Sequence, residues 1–336
     1  MTLVLIIVFV ALLFDFLNGM NDAANSIATV VSTRVLSPKL AVIWAAFFNF
    51  VAAFGFGVAV AKTIGKGIVD PQVITQELIL SALVGAIVWT HLCTRYGLPI
   101  SVSHSLIGGL AGAAIIKQGV EALIMSGIYK VLIFIFLSPI VGLIAAFLLM
   151  IVVSWVFRSW TVRRVDKFFR VGQLISSAAY SLGHGTNDAQ KTMGIISILL
   201  FSAKVGMPTW MYDSAQGFYV PFWVIIAAHS AIGLGTLMGG WKVIRTMGIR
   251  LTHLKPVGGF CAETGGAFVL LGTAIFGIPV STTHTIAGAI MGVGATRRMS
   301  AVRWGIAGRI VAAWLLTIPM SALVAALFYK VVLLFH

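Results

Sequence analysis

The chain has 336 residues, 60% of them hydrophobic and only 10% charged, against about 25% charged in an ordinary soluble domain. That apolar content supplies material for roughly ten membrane spans of about 20 residues each and excludes a soluble, disordered or fibrous chain. The net charge of +14, from 23 basic and 9 acidic residues, would suggest nucleic acid in a soluble protein, but the bases sit mainly in short connections between apolar runs, the pattern of membrane topology.

Apolar runs fall at about 2–30, 40–61, 73–94, 98–116, 122–157, 173–200, 218–241, 256–276, 279–295 and 304–334. The first lacks a basic lead and continues into Asp15 and Asn18, so it is expected to stay as a first helix rather than be cleaved as a signal peptide. Cys93 and Cys261 have no CxxC spacing and read as small hydrophobes. The stretch 158–170 is the only strongly basic linker. It divides the chain into a first transmembrane repeat (1–157), a basic cytoplasmic linker (158–172) and a second transmembrane repeat (173–336).

The halves repeat each other. Asn21-Asp22-Ala23 returns as Asn187-Asp188-Ala189, each after a glycine-containing lead, Asn18-Gly19-Met20 and Gly183-His184-Gly185-Thr186. Gly97-Leu98-Pro99-Ile100-Ser101-Val102-Ser103-His104-Ser105 returns as Gly277-Ile278-Pro279-Val280-Ser281-Thr282-Thr283-His284-Thr285, with Gly108 and Gly112 recurring at Gly288 and Gly292.

If all ten segments cross, about fifteen bases fall on one side, among them Arg34, Lys39, Arg95, the linker residues, Lys242, Arg245, Arg250, Lys255, Arg297, Arg298 and Arg303. Only Lys62, Lys66, Lys117, Lys204 and Lys330 fall on the other. The richer side is then cytoplasmic and both termini lie outside. Five crossings per half is an odd number, so the repeats are inverted, as in many secondary transporters. A competing count makes 98–116 and 279–295 re-entrant, splits 122–157 and 304–334, and places Arg297, Arg298 and Arg303 outside.

An ionisable group in hydrocarbon costs a few kcal/mol or more unless it is paired or solvated. Asp15, Asp22, Glu77, Asp188 and Glu263 all fall in or at the ends of apolar runs. Asp22 and Asp188 are equivalent in the duplication, with Asn21 and Asn25 beside one and Asn187, Gln190 and Lys191 beside the other. Helices broken at the nearby glycines would expose carbonyls and amides around these carboxylates, a setting suited to a hard cation and, through the amide hydrogens, to an anion. Pro99 and Pro279 suit the first turn of a helix. The hydroxyls of Ser101, Ser103, Ser105, Ser281, Thr282, Thr283 and Thr285 then join free backbone N–H groups as anion donors. His104 and His284 are either packed polar residues or, with Asp22 and Asp188, part of cation coupling. Lys191 is either an anion contact or a partner for Asp188 three residues away. The glycines at 108, 109, 112, 265, 266, 288, 292 and 294 suit close helix packing, and no GxxxxGK[ST], HExxH or GxSxG motif occurs.

At Gly19–Ser26, Gly185–Gly194 and the paired Pro-x-Ser-x-x-His stretches Pro99–His104 and Pro279–His284, the sequence resembles the inorganic phosphate transporter family of the PiT type. The resemblance runs over nearly the whole chain, with Met20 where alanine is usual and a linker far shorter than that of animal members. It implies an all-α polytopic fold with about ten transmembrane segments in two inverted repeats. It also implies secondary active uptake of phosphate with protons or sodium, or of a neutral complex with a divalent metal.

The expected site therefore comprises Asn21, Asn25, Ser101, Ser103, Ser105, Asn187, Gln190, Lys191, Ser281, Thr282, Thr283 and Thr285 for phosphate, and Asp22, Asp188, His104 and His284 for the coupling cation. No catalytic residue, metal ligand or resident cofactor is expected. Expected partners are phosphate, the cation, membrane lipid and a second copy in a homodimer, with no nucleic acid. The expected place is the inner or plasma membrane. Rival readings are a passive anion channel, a transporter of another tetrahedral oxyanion such as sulfate, and an intramembrane metal hydrolase, which lacks short-range ligand spacing.

Overall fold

The computed structural model describes residues 1–55, 57–203, 208–213 and 216–335; Lys204, one of the loop bases, lies outside them. The first half forms α1 (Thr2–Ser32), α2 (Pro38–Val51), α3 (Ala59–Gly67), α4 (Gln76–Tyr96), α5 (Val102–Gln118) and α6 (Met125–Val156). The second forms α7 (Val162–Ala203), α8 (Phe222–Met238), α9 (Trp241–Arg245, continued by a π turn to Arg250), α10 (Pro256–Ile275), α11 (Thr282–Ala295) and α12 (Trp304–Leu333). The duplication thus pairs α1 with α7, α2–α3 with α8–α9, and α4, α5 and α6 with α10, α11 and α12. Helix α7 starts at Val162, inside the basic stretch.

Five helices, α1, α4, α6, α10 and α12, are long and apolar enough to cross a membrane, and the bent pairs α2–α3 and α8–α9 raise the number to seven. Helix α7 has 42 residues, ample length, but its middle carries His184, Asn187, Asp188 and Lys191. Helices α5 and α11, of 17 and 14 residues, reach only about 25 and 21 Å at 1.5 Å per residue, short of a hydrocarbon core of about 30 Å.

These two short helices re-enter rather than cross. Chain reversal is written locally: Gly97 (φ 71°) and Gly277 (φ 65°) stop the preceding helices in the left-handed region, which glycine adopts without steric cost. Ser101 and Ser281 then cap the new helices, each side-chain oxygen accepting the N–H of the histidine three residues on at 3.2 Å. Pro99 and Pro279 lie two residues before these caps, not in the first helical turn, because the serines take that role. The backbone pairs Asp70–Ala122 and Ile124–Ile68 tie the start of the α4–α5 hairpin to its end, and Arg303–Leu251 does the same for α10–α11.

The long helices α6 and α12 stay whole, each with one internal proline, Pro139 and Pro319. Each half therefore contains three crossings and one hairpin, an odd number that inverts the second half. Arg297 reaches the His253 carbonyl, Arg303 that of Arg250, and Arg170 that of Arg34. The basic connections consequently share one end of the molecule even with re-entrant hairpins.

Two hydrophobic clusters fill opposite ends. One joins Val4 and Ile7 of α1 to Leu110 of α5, Leu199 of α7 and Tyr329 of α12. The other joins Ile27 of α1 to Val153 of α6, Phe169 of α7 and Ile290 of α11. Both chain ends approach the first cluster, and the bases surround the second.

The repeats exchange their short helices. On α5, a Cβ added to Gly112 would sit 2.1 Å from the Ala322 carbonyl oxygen of α12; on α11, one added to Gly288 would sit 2.0 Å from that of Pro139 in α6. Gly288→Leu and Gly112→Leu are therefore expected to cost about 3 kcal/mol or more by overpacking, read as loss of the monodisperse peak in detergent chromatography. The same logic corrects the expectation that α1 and α7 break near their Asn-Asp motifs. Both run unbroken through them, because Gly19 and Gly185 let the carbonyls of Ile232 and Asn49 approach instead of loosening the helix.

Candidate functional site

Asp22 and Asp188 meet at the centre, where the antiparallel helices α1 and α7 face the first turn of α11. The Thr282 hydroxyl lies 2.9 Å from Asp188 Oδ2 and 3.4 Å from Asp22 Oδ2, and Thr283 donates to Asp22 Oδ1 at 3.2 Å. Asn25 gives its amide to Thr283 at 2.9 Å and to Thr282 at 3.3 Å. Lys191 makes a buried ion pair with Asp188 and also donates to Ser103 of α5 and, at 3.0 Å, to the Val280 carbonyl. Pairing with Asp188, one of the two roles open to Lys191, is present in the structure.

His184 completes the cluster. Its Nε2 is 3.2 Å from Asp188 Oδ2 and 3.9 Å from Asp22 Oδ2. On its far side, Nδ1 lies 3.1 Å from Asn49 Oδ1, and Asn49 donates its amide to Thr236, whose own hydroxyl proton goes to the Ile232 carbonyl. Asn49 must therefore accept, Nδ1 carries the proton, and in the neutral ring the Nε2 lone pair faces both carboxylates. One ligand atom from each of Asp22, His184 and Asp188 lies within 4.8 Å of the others, a set able to hold a cation. The oxygens of Asn21, Asn25 and Asn187 are buried without a donor, and each of these residues is 2% exposed or less.

The remaining expected residues divide. Ser101 and Ser281 cap α5 and α11, and Ser105 and Thr285 bond back to the carbonyls of those caps. Asn21 donates to Thr94 and Asn187 to the Leu270 carbonyl. Gln190 is drawn away altogether: Oε1 accepts the Val60 and Ala61 N–H groups and Nε2 donates to Gly57, so it caps α3. Gln190→Ala is expected to lower stability by about 1 kcal/mol, visible as a drop in melting temperature, with half-saturating phosphate within about twofold of wild type.

His104 and His284 meet each other, ring centroids 4.9 Å apart, and His284 stacks on Trp314 at 3.9 Å. Neither makes a hydrogen bond to Asp22 or Asp188. Sequence reasoning missed His184 and Asn49 as site residues, although the four-residue step from His184 to Asp188 puts them on one helix face. Glu263 is fully buried and accepts from Thr29, Gln173 and Ser176, while Glu77 stands half-buried in the first turn of α4. Cys93 and Cys261 are free and buried.

Comparisons with known proteins converge on one family. The model of the phosphate transporter family matches residues 18–163 and 159–325. The chain is 56% identical over 320 residues to a protein of Rhizobium meliloti described as "Probable low-affinity inorganic phosphate transporter", covering 95% of this chain and 93% of that one. A Bacillus subtilis protein of the same description is 44% identical, with 97% and 96% covered. A solved structure described as "The sodium-dependent phosphate transporter" superposes with a TM-score of 0.89 at 26% identity, covering 99% of this chain and all of that one. The chain belongs to the phosphate transporter family, as a polytopic α-helical membrane protein built from two inverted repeats.

Proposed function

We propose that the chain carries inorganic phosphate inward by symport with a cation, through alternating access around the Asp22–His184–Asp188 centre. The observation that carries this reading is the convergence of two repeat-related carboxylates with neutral donors of α11 and an amide of α1. Lys191 offsets one carboxylate, and with the His184 ring neutral the other has no countercharge. A phosphate dianion approaching the Thr282, Thr283 and Asn25 donors is repelled by that remaining charge, strongly so in a medium of low dielectric. A cation held by Asp22 Oδ2, His184 Nε2 and Asp188 Oδ2 removes the repulsion, so each ion favours binding of the other. Burial of every member of the centre supports a gated carrier rather than an open pore.

The basic end faces the cytoplasm in this reading and both termini lie outside. Sodium and protons both satisfy the centre's electrostatics, and the likeness to a sodium-dependent transporter favours sodium. The deciding experiment is uptake of labelled phosphate into proteoliposomes, with sodium, pH and divalent-metal gradients imposed separately. Concentrative uptake under a cation gradient, lost when that gradient collapses, is the expected result; equal rates without any gradient would mean a passive channel. A carboxylate facing the O–H of hydrogen phosphate also discriminates against sulfate, which has no proton to donate at neutral pH. Tenfold excess sulfate is expected to change uptake by less than about twofold.

A further inference from the structure

The stretch 158–172 orients the chain by its charge, but charge alone does not explain its aromatic and aliphatic residues. As α7 begins there, Arg164, Lys167, Phe168, Val171 and Ile175 follow one another at helical spacing, which places all five within one stripe about 100° wide. With Trp160 they line a groove of about 460 Å³. Phe168 is 50% exposed, Val171 60% and Ile175 67%, so no helix among the described residues covers the stripe.

Neighbouring side chains set its depth. The outward face of α6 stays apolar and exposed from Ile140 through Ile144, Leu148 and Val152 to Trp155, the side that hydrocarbon must cover. Just past that run, Phe157 packs edge-on against Trp160 with ring centroids 4.8 Å apart and lies 5.4 Å from Phe168. Such rings settle between hydrocarbon and headgroups. Val171 and Ile175, further along α7, therefore stand at acyl-chain depth, and Arg164 and Lys167, nearer its start, at headgroup depth.

The rim charges are free for a ligand. Among the described residues neither Arg164 nor Lys167 makes a salt bridge. The one acid of the stretch, Asp166, pairs with Arg170, and Arg164 lies 5.6 Å over the Trp160 ring. One ligand must then meet cations, rings and aliphatic side chains in that order along a single helix face. A free anion leaves the apolar floor uncovered, and a zwitterionic lipid sets its own cation against Arg164 and Lys167.

We propose that this groove binds one anionic phospholipid of the leaflet at the basic end, its phosphodiester between Arg164 and Lys167 and an acyl chain along Val171 and Ile175. The site goes beyond the symport reading and is independent of it. Because α7 continues unbroken to His184 and Asp188, the lipid fastens the helix that carries the centre.

The test is quenching of Trp160 fluorescence by lipids brominated on the acyl chain, with the full chain held in vesicles of phosphatidylcholine. Subtracting the signal of Trp160→Phe isolates this one indole among nine. Brominated phosphatidylglycerol is expected to half-quench Trp160 at about a tenfold lower mole fraction than brominated phosphatidylcholine, since each base near the surface favours an anionic lipid about fivefold. Arg164 and Lys167 are both exposed, so Arg164→Gln/Lys167→Gln should fold normally, and in it the preference is expected to fall to about twofold or less. Equal quenching by the two lipids in wild type, or a preference that survives the double variant, overturns the site. Quenching by neither lipid means that protein, such as a second copy, covers the groove, and overturns it equally. The readout needs no phosphate uptake, so failure of the symport reading leaves this result standing.

Discussion

Asp22→Asn is expected to produce folded protein that no longer couples phosphate to a cation gradient. Asp22 is held by the neutral hydroxyls of Thr282 and Thr283, with His184 Nε2 3.9 Å away. An asparagine keeps an oxygen to accept from Thr283, so no buried charge is stranded. What disappears is the negative charge that Lys191 does not offset. Phosphate then meets a centre that is already electrically balanced and gains nothing from a cation. Binding measured without cation should tighten or hold, while the dependence of phosphate affinity on cation, about 5- to 150-fold for a typical coupling free energy, should vanish. Concentrative uptake should fall about 100-fold or below detection, as measured in proteoliposomes under an imposed gradient. Full cation-dependent accumulation by Asp22→Asn would remove the electrostatic account of coupling.

The duplication was the most legible part of the chain, because uncommon residues recur in register: Asn-Asp and Pro-x-Ser-x-x-His occur twice and bring both halves to one centre. Each of the ten apolar runs contributes a helix for a similar reason, the second of them as the bent pair α2–α3, since hydrocarbon admits few alternatives to helix at that length. Less was legible where one residue type serves two purposes. Glycines at 19 and 185 read equally as helix breaks or as packing sites, and only the nearness of the carbonyls of Ile232 and Asn49 decides for packing. Gln190 carries the same chemistry as a phosphate contact, yet the free N–H groups of α3 claim it across a gap of 129 residues. His184 escaped because its partners Asp22 and Asn49 come from other helices. Re-entry of α5 and α11 was undecidable from hydropathy, since both are apolar; their length and caps settle it.

Asp188→Asn should behave differently from Asp22→Asn, although the two aspartates are equivalent in the repeat. Asp188 carries the ion pair with Lys191, accepts from Thr282 at 2.9 Å and lies 3.2 Å from His184. Neutralising it strands a fully buried ammonium whose other acceptors are only Ser103 and the Val280 carbonyl. Breaking one partner of such a pair costs about 3–5 kcal/mol, a large part of the roughly 5–15 kcal/mol that holds a typical domain folded. The expected result is poor yield and a melting temperature far below wild type. The double variant Asp188→Asn/Lys191→Met removes both charges and should recover most of that stability, since replacing a buried pair by apolar bulk is often neutral. It should not recover transport, because one of the cation's three ligands has then lost its negative charge and the ammonium beside the centre is gone. Stability regained without uptake separates the structural role of the pair from its part in coupling. A double variant that transports normally would assign Lys191 and Asp188 to the fold alone and leave Asp22 and His184 to bind the cation.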